Sequence, residues 1–127
     1  MIMLDSQTLL WSAFNDKRLG KFAASRIVAS EAVYFSAISL YEIESKRLLG
    51  KLGAPENLGD LIRAIGYQEL DFKGSSVARL REFPSLIRHD PFDRMILATA
   101  IERGLTLLTS DAVLLSLSHP LIVDSQV

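Results

Sequence analysis

The sequence predicts an α/β domain, with a central parallel sheet of about five strands and helices on both faces. Two observations predict it. Short apolar runs alternate with helix-period segments along the whole chain, and those runs are apolar at successive positions, as strands covered on both faces are. The 127 residues, 49% of them hydrophobic, suit one domain spanning 1–127.

The first strand is Ile2-Met3-Leu4, ended by Asp5-Ser6, a helix-capping pair. Leu9, Leu10, Trp11 and Phe14 then mark a helical face, and Gly20 opens a second helix with Phe22, Ala23, Ile27 and Val28 at helical spacing. Val33-Tyr34-Phe35 is the second strand, with Ser36 to Ser39 as the turn out of it. A helix from about Leu40 to Leu49 turns Leu40, Ile43 and Leu48 inward and stops at Gly50. After a polar loop around Pro55, Leu58, Leu61, Ile62 and Ile65 make another helix, broken by Gly66. Tyr67 to Phe72 is a third strand, and Ser75 to Phe83 a helix with Val77 and Leu80 inward. Asp90-Pro91 starts a helix buried over much of its surface, because proline suits the first helical position, and Gly104 ends it. Leu105 to Thr109 is the fourth strand, Asp111 caps a short helical piece, and Leu121-Ile122-Val123 is the fifth strand before a loose tail.

Composition excludes several classes of function. There is no cysteine, which removes disulfides, thiolate nucleophiles and thiolate zinc sites, and the only histidines are His89 and His119. Any metal is therefore expected on oxygen ligands. With 14 basic and 15 acidic side chains, there is no broad polybasic surface for indiscriminate nucleic-acid binding. The longest uncharged run, Ala112 to Val123, falls short of the ~18 residues a membrane span needs. Asp5 interrupts what would be the apolar start of an export signal, so the expected location is cytoplasmic.

In such a sheet, ligands bind beyond the carboxyl ends of the strands. Four carboxylates are delivered there. Asp5 ends the first strand, and Glu42 lies in the first turn of the helix after the second. Asp93 begins a helix that runs away from this edge for roughly 20 Å, at about 1.5 Å per residue; the fourth strand returns, ending at Thr109-Ser110-Asp111. Singly, each acid fits a helix cap or an acidic first turn. Together they would repel one another and raise some of their own pKa values unless a cation joined them. Carboxylates with open positions suit Mg²⁺ or Mn²⁺ held against a phosphate, and phosphodiester hydrolysis on such a cation requires neither histidine nor cysteine.

The ordered set of motifs resembles the PIN-domain ribonucleases, most closely the VapC-like toxins of bacterial toxin–antitoxin pairs. It comprises Met3-Leu4-Asp5-Ser6 with Leu9-Leu10-Trp11, Ser36-Ala37-Ile38-Ser39-Leu40-Tyr41-Glu42-Ile43, Leu48-Leu49-Gly50-Lys51-Leu52, Arg88-His89-Asp90-Pro91-Phe92-Asp93-Arg94 and Leu107-Leu108-Thr109-Ser110-Asp111. The resemblance implies a PIN-like fold and a Mg²⁺- or Mn²⁺-dependent endoribonuclease whose acidic site is Asp5, Glu42, Asp93 and Asp111. It implies Asp5 and Asp93 as direct metal ligands, with Glu42 and Asp111 acting through water or on a second ion. Ser6 and Thr109 match hydroxyl positions that orient carboxylates or waters. Asp90 is read as the helix N-cap. Gln7 stands where the family often has a histidine, and Glu44, two positions from Glu42, is expected on another, solvated face.

An RNA substrate requires local positive charge, for which Lys46, Lys51, Arg47, Arg88 and Arg94 are the candidates, although Lys46 and Lys51 also read as a solvated helix face. His89 reads as a loop residue rather than a metal ligand, because it lacks partner histidines. Trp11, Phe14, Leu48, Leu49 and Leu52 read as core or helix-packing residues; the resemblance adds homodimer formation and the binding of a cognate antitoxin as uses for such surfaces. Two other classes compete with the nuclease. A signalling receiver domain has this size and a parallel sheet, but needs a lysine on a late strand, and no lysine follows Lys73. A catalytically silent PIN-like module binding RNA or protein would have no need to keep all four carboxylates.

Overall fold

A computed structural model describes residues 1–127. Five parallel strands, β1 (Ile2–Leu4), β2 (Val33–Ser36), β3 (Gln68–Leu70), β4 (Thr106–Thr109) and β5 (Ile122–Asp124), pair in the order β3-β2-β1-β4-β5. Seven α-helices connect them: α1 (Ser6–Ala13), α2 (Lys21–Ala29), α3 (Ala37–Leu48), α4 (Leu58–Ile65), α5 (Gly74–Val77), α6 (Pro91–Arg103) and α7 (Ala112–Leu115). The chain starts in the middle of the sheet, builds outward through β2 and β3, and returns across the other edge of β1 to lay down β4 and β5. The order reverses between β1 and β4, where Leu4 lies opposite Leu108. Connections leave in opposite directions there, which opens a crevice at the carboxyl ends of these two strands.

Successive strand residues serve opposite faces. Ile2, Leu4, Val33, Phe35 and Leu108 join Leu9 of α1, Ala23 and Ile27 of α2, and Leu58 and Ile62 of α4 in one core; Met3 and Leu107 join Ile96, Leu97 and Ala100 of α6 and Leu114 of α7 in the other. Helix α6 is buried without a break from Ile96 to Ala100, as its all-round apolar sequence predicts. Gly104, at φ 65°, ends it in the left-handed region that favours glycine. No helix is long and apolar enough to cross a membrane.

Several local expectations are corrected. Ser36 to Ser39 is not a turn: Ser36 caps α3, its Oγ accepting from the Ile38 N–H at 3.0 Å, so the helix starts at Ala37 and Glu42 stands in its second turn. The expected helix from Ser75 to Phe83 is one α-helical turn, α5, followed by 3-10 turns at Ala78–Glu82 and Pro84–Leu86. Phe14, Phe22, Val28, Leu48, Leu49, Ile65 and Val77 are exposed rather than core, Val28 at 87%, because the apolar stripes of these helices are wider than the faces the sheet covers. The tail is not loose. The Val127 carbonyl accepts from the Phe22 and Ala23 N–H groups at 2.9 and 3.2 Å, and the Gly20 N–H donates to the Ser125 carbonyl at 2.8 Å, which satisfies three donors at the start of α2.

Candidate active site

The crevice at the strand reversal is a cavity of about 670 Å³, lined by Asp5, Glu42, Asp90, Asp93 and Asp111 together with Ser6, Gln7, Lys46 and Lys51. All four carboxylates expected at this edge therefore face one space. Asp5 is buried at the end of β1 and serves as the N-cap of α1: Oδ1 accepts from the Thr8 N–H at 2.9 Å, and Oδ2 accepts from the Thr109 hydroxyl of β4 at 2.5 Å. The capping and the site readings of Asp5 describe one geometry, because the cap fixes one oxygen while Thr109 orients the other. Burial raises the pKa of Asp5, against these hydrogen bonds.

Glu42 enters from α3 and is 6% exposed. Ser6 donates to its Oε1 at 2.6 Å and lies 3.0 Å from the buried Ser39 hydroxyl, while Lys46, one turn along α3, holds Oε2 at 2.7 Å. Lys46 is thus half-exposed but engaged in the cleft through its ammonium, whose pKa the Glu42 carboxylate raises. Asp111 caps α7, its Oδ1 accepting from the Leu114 N–H at 2.8 Å, and its own N–H donates to Thr109 Oγ1 at 3.0 Å. Thr109 therefore links Asp5 to Asp111. Asp90 caps α6, accepting from the N–H groups of Phe92 and Asp93 at 2.8 and 3.2 Å, which matches its sequence reading.

Asp93 is strongly perturbed as well. Burial first, and then the charges of Asp111, Asp90, Asp5 and Glu42, push its pKa up to about 8. Five carboxylates line the cleft with two lysines, one of them committed to Glu42. A divalent cation would offset this imbalance, and the oxygen-rich donor set would suit Mg²⁺ or Mn²⁺.

Other expectations fare differently. Glu44 points away and pairs with Arg47 at 2.7 Å, on a separate face from Glu42. Arg88 and Arg94 do not line the cleft: Arg88 is exposed, and Arg94 turns back so that Nη1 lies 3.4 Å from the Ile87 carbonyl. The larger surprise is His89. Rather than standing as an uninvolved loop residue, it turns its imidazole between two acids, Nε2 lying 3.2 Å from Asp93 Oδ2 and 3.3 Å from Asp111 Oδ1. A signal existed in the four-residue spacing to Asp93, but the intervening Asp90-Pro91 hid it, since the helix begins only after His89. Ser39, expected to end the turn before α3, lies instead inside the helix, where its buried hydroxyl meets Ser6.

The PIN domain family model matches residues 2–119. This chain belongs to the PIN domain family. The PIN domain is 32% identical to Ribonuclease VapC22 of Mycobacterium tuberculosis over 94% of this chain and 93% of that protein. It also superposes on a toxin-antitoxin complex from Klebsiella pneumoniae (TM-score 0.66, 16% identity, 98% of each chain). VapBC2 from Rickettsia felis, solved on a DNA fragment from its promoter, matches at TM-score 0.64 and 17% identity over 97% of this chain and 96% of that one. At such identities these structures share the fold of this PIN domain. Membership of the family removes the receiver-domain reading.

Proposed function

We propose that this PIN domain, acting as one unit over 1–127, is a Mg²⁺- or Mn²⁺-dependent endoribonuclease and the toxin of a toxin–antitoxin pair, working in the cytoplasm. The observation that carries this reading is the convergence of Asp5, Glu42, Asp93 and Asp111 on one cleft, with Asp93 pushed up to about 8. Likeness to Ribonuclease VapC22 supports RNA as the substrate. When bound, the cation supplies Lewis acidity toward a phosphoryl oxygen and makes water a competent nucleophile near neutral pH. Asp5, Asp93 and Asp111 would hold it, with Thr109 fixing one oxygen of the Asp5 carboxylate. Ser6 and Lys46 fix the Glu42 carboxylate, and Lys46 and Lys51 add positive charge where an RNA phosphate enters. Arg88 and Arg94, outside the cleft, can meet only flanking segments of an RNA.

The partners follow from the surface. Leu48 and Leu49 at the end of α3 are 71% and 69% exposed, beside a second groove lined by Leu40, Tyr41 and Leu58. Apolar side chains this exposed at the mouth of a groove suit an antitoxin helix or a second copy of the chain.

The deciding experiment is cleavage of a panel of structured RNAs by antitoxin-free protein with Mn²⁺, Mg²⁺ or chelator, beside Asp5→Asn and Asp93→Asn. Cutting is expected with either metal, to vanish with chelator, and to fall at least about 100-fold in each variant. A folded, metal-binding protein that cuts none of the panel would instead be a binding module.

A further inference from the structure

We propose that His89 is a nitrogen ligand of the catalytic cation in this chain, so that His89, Asp93 and Asp111 form a seat favouring Mn²⁺ over Mg²⁺. The proposal rests on the metal-dependent reading above and adds a residue that the acidic motif does not contain.

Three observations carry it. The donor atoms of His89, Asp93 and Asp111 all lie within 4.8 Å of one another. The Nε2 separations of 3.2 and 3.3 Å match neighbouring donors around one ion: ligands at about 2.1 Å stand about 3.0 Å apart in an octahedron and about 3.4 Å apart in a tetrahedron. Finally, His89 Nε2 is buried and makes no hydrogen bond, since neither carboxylate contact has hydrogen-bond geometry. An imidazole recruited only to bridge two acids would aim its N–H at one of them, because a buried donor without a partner costs about 1–3 kcal/mol. A lone pair converging with two carboxylate oxygens is instead the arrangement a metal completes.

The backbone presents His89 for this role. Leu86, buried in the core, anchors the 3-10 turn, and the His89 N–H donates to the Leu86 carbonyl at 2.9 Å, which sets the residue just before the Asp90 cap. Asp93 is then delivered by the first turn of α6 and Asp111 by the end of β4. An imidazole among carboxylates biases a site toward first-row transition ions, whereas Mg²⁺ prefers oxygen and retains its waters.

The test is electron spin-echo spectroscopy of Mn²⁺ on the whole protein, with calorimetric titration of Mn²⁺ and Mg²⁺. Bound Mn²⁺ is expected to show ¹⁴N modulation that changes to the ¹⁵N pattern on selective ¹⁵N-histidine labelling, which requires no substitution. It should survive His119→Gln and disappear in His89→Ala and His89→Gln. Mn²⁺ affinity should fall about tenfold or more in the His89 variants, and Mg²⁺ affinity less than about threefold. Mn²⁺ that binds wild type and not Asp93→Asn, yet shows no histidine modulation, overturns the role of His89 and leaves the nuclease reading standing. Modulation that persists without His89 does the same. Wild type that binds Mg²⁺ but not Mn²⁺ overturns the role of His89 alone, and failure to bind either ion overturns both.

Discussion

At the scale of single residues, the site is set by how burial and charge act on Asp93 and Asp5. The ordinary aspartate value is 3.8, and the fold pushes Asp93 up to about 8. A carboxyl that holds its proton more tightly when folded contributes stability that is fully present below the unfolded value and is lost as pH rises through the folded one. Metal-free protein is therefore expected to lose thermal stability between about pH 4 and pH 8, with Asp5 acting in the same direction. Scanning calorimetry in chelator should show this slope, and the slope should shrink in Asp93→Asn. Because the cation displaces the Asp93 proton, Mn²⁺ binding at pH 7 is expected to release about one proton, read as the dependence of binding heat on buffer ionisation enthalpy. Thr109 offers a second handle. Thr109→Val removes the hydroxyl that donates to Asp5 and accepts from the Asp111 N–H, and should cost about 1–3 kcal/mol in urea unfolding, while Thr109→Ser retains most of it.

At the scale of elements, the short helices rely on caps and on neighbours rather than on length, since isolated helices below ~12 residues are marginal in water. Helix α2 shows this most clearly. Its cap residue, Gly20, makes no side-chain capping bond, and the tail accepts from the N–H groups of Gly20, Phe22 and Ala23. A Cβ at Gly20 would stand 2.0 Å from the Val127 carbonyl oxygen, so Gly20→Ala must displace the tail. A loss of about 1–3 kcal/mol is expected. In a chain lacking residues 125–127 the same substitution should be nearly silent, a non-additivity that a double-mutant cycle of unfolding free energies measures. No apolar pattern marks residues 125–127, which is why the sequence leaves them loose: what holds them is backbone hydrogen bonding to a helix end remote in the chain.

At the scale of the whole molecule, the strand order β3-β2-β1-β4-β5 makes one site from residues as far apart in sequence as Asp5 and Asp111. The exposed apolar side chains at the end of α3 belong to this scale as well, because they gain burial only from another chain. Light scattering of the isolated protein is expected to give twice the 14.1 kDa chain mass, and Leu48→Glu with Leu49→Glu should shift it toward the monomer without affecting the core. A mass of one chain at high concentration would rule out the dimer.

Strand positions, the α6 start at Asp90-Pro91 and the four carboxylates at one edge were all legible in the sequence, because each rests on local periodicity, a capping residue or the direction of a parallel strand. The docking of the tail, the exposure of Leu48 and Leu49, and the approach of His89 to Asp93 and Asp111 were decided only by tertiary structure. The physical reason is shared. A pattern within one segment reports which face can be buried, but which face is covered, and which charges meet across the crevice, depends on partners tens of residues away. For His89 those partners are Asp93, beyond the proline-started helix boundary, and Asp111, at the end of a strand the chain reaches only after α6 is complete.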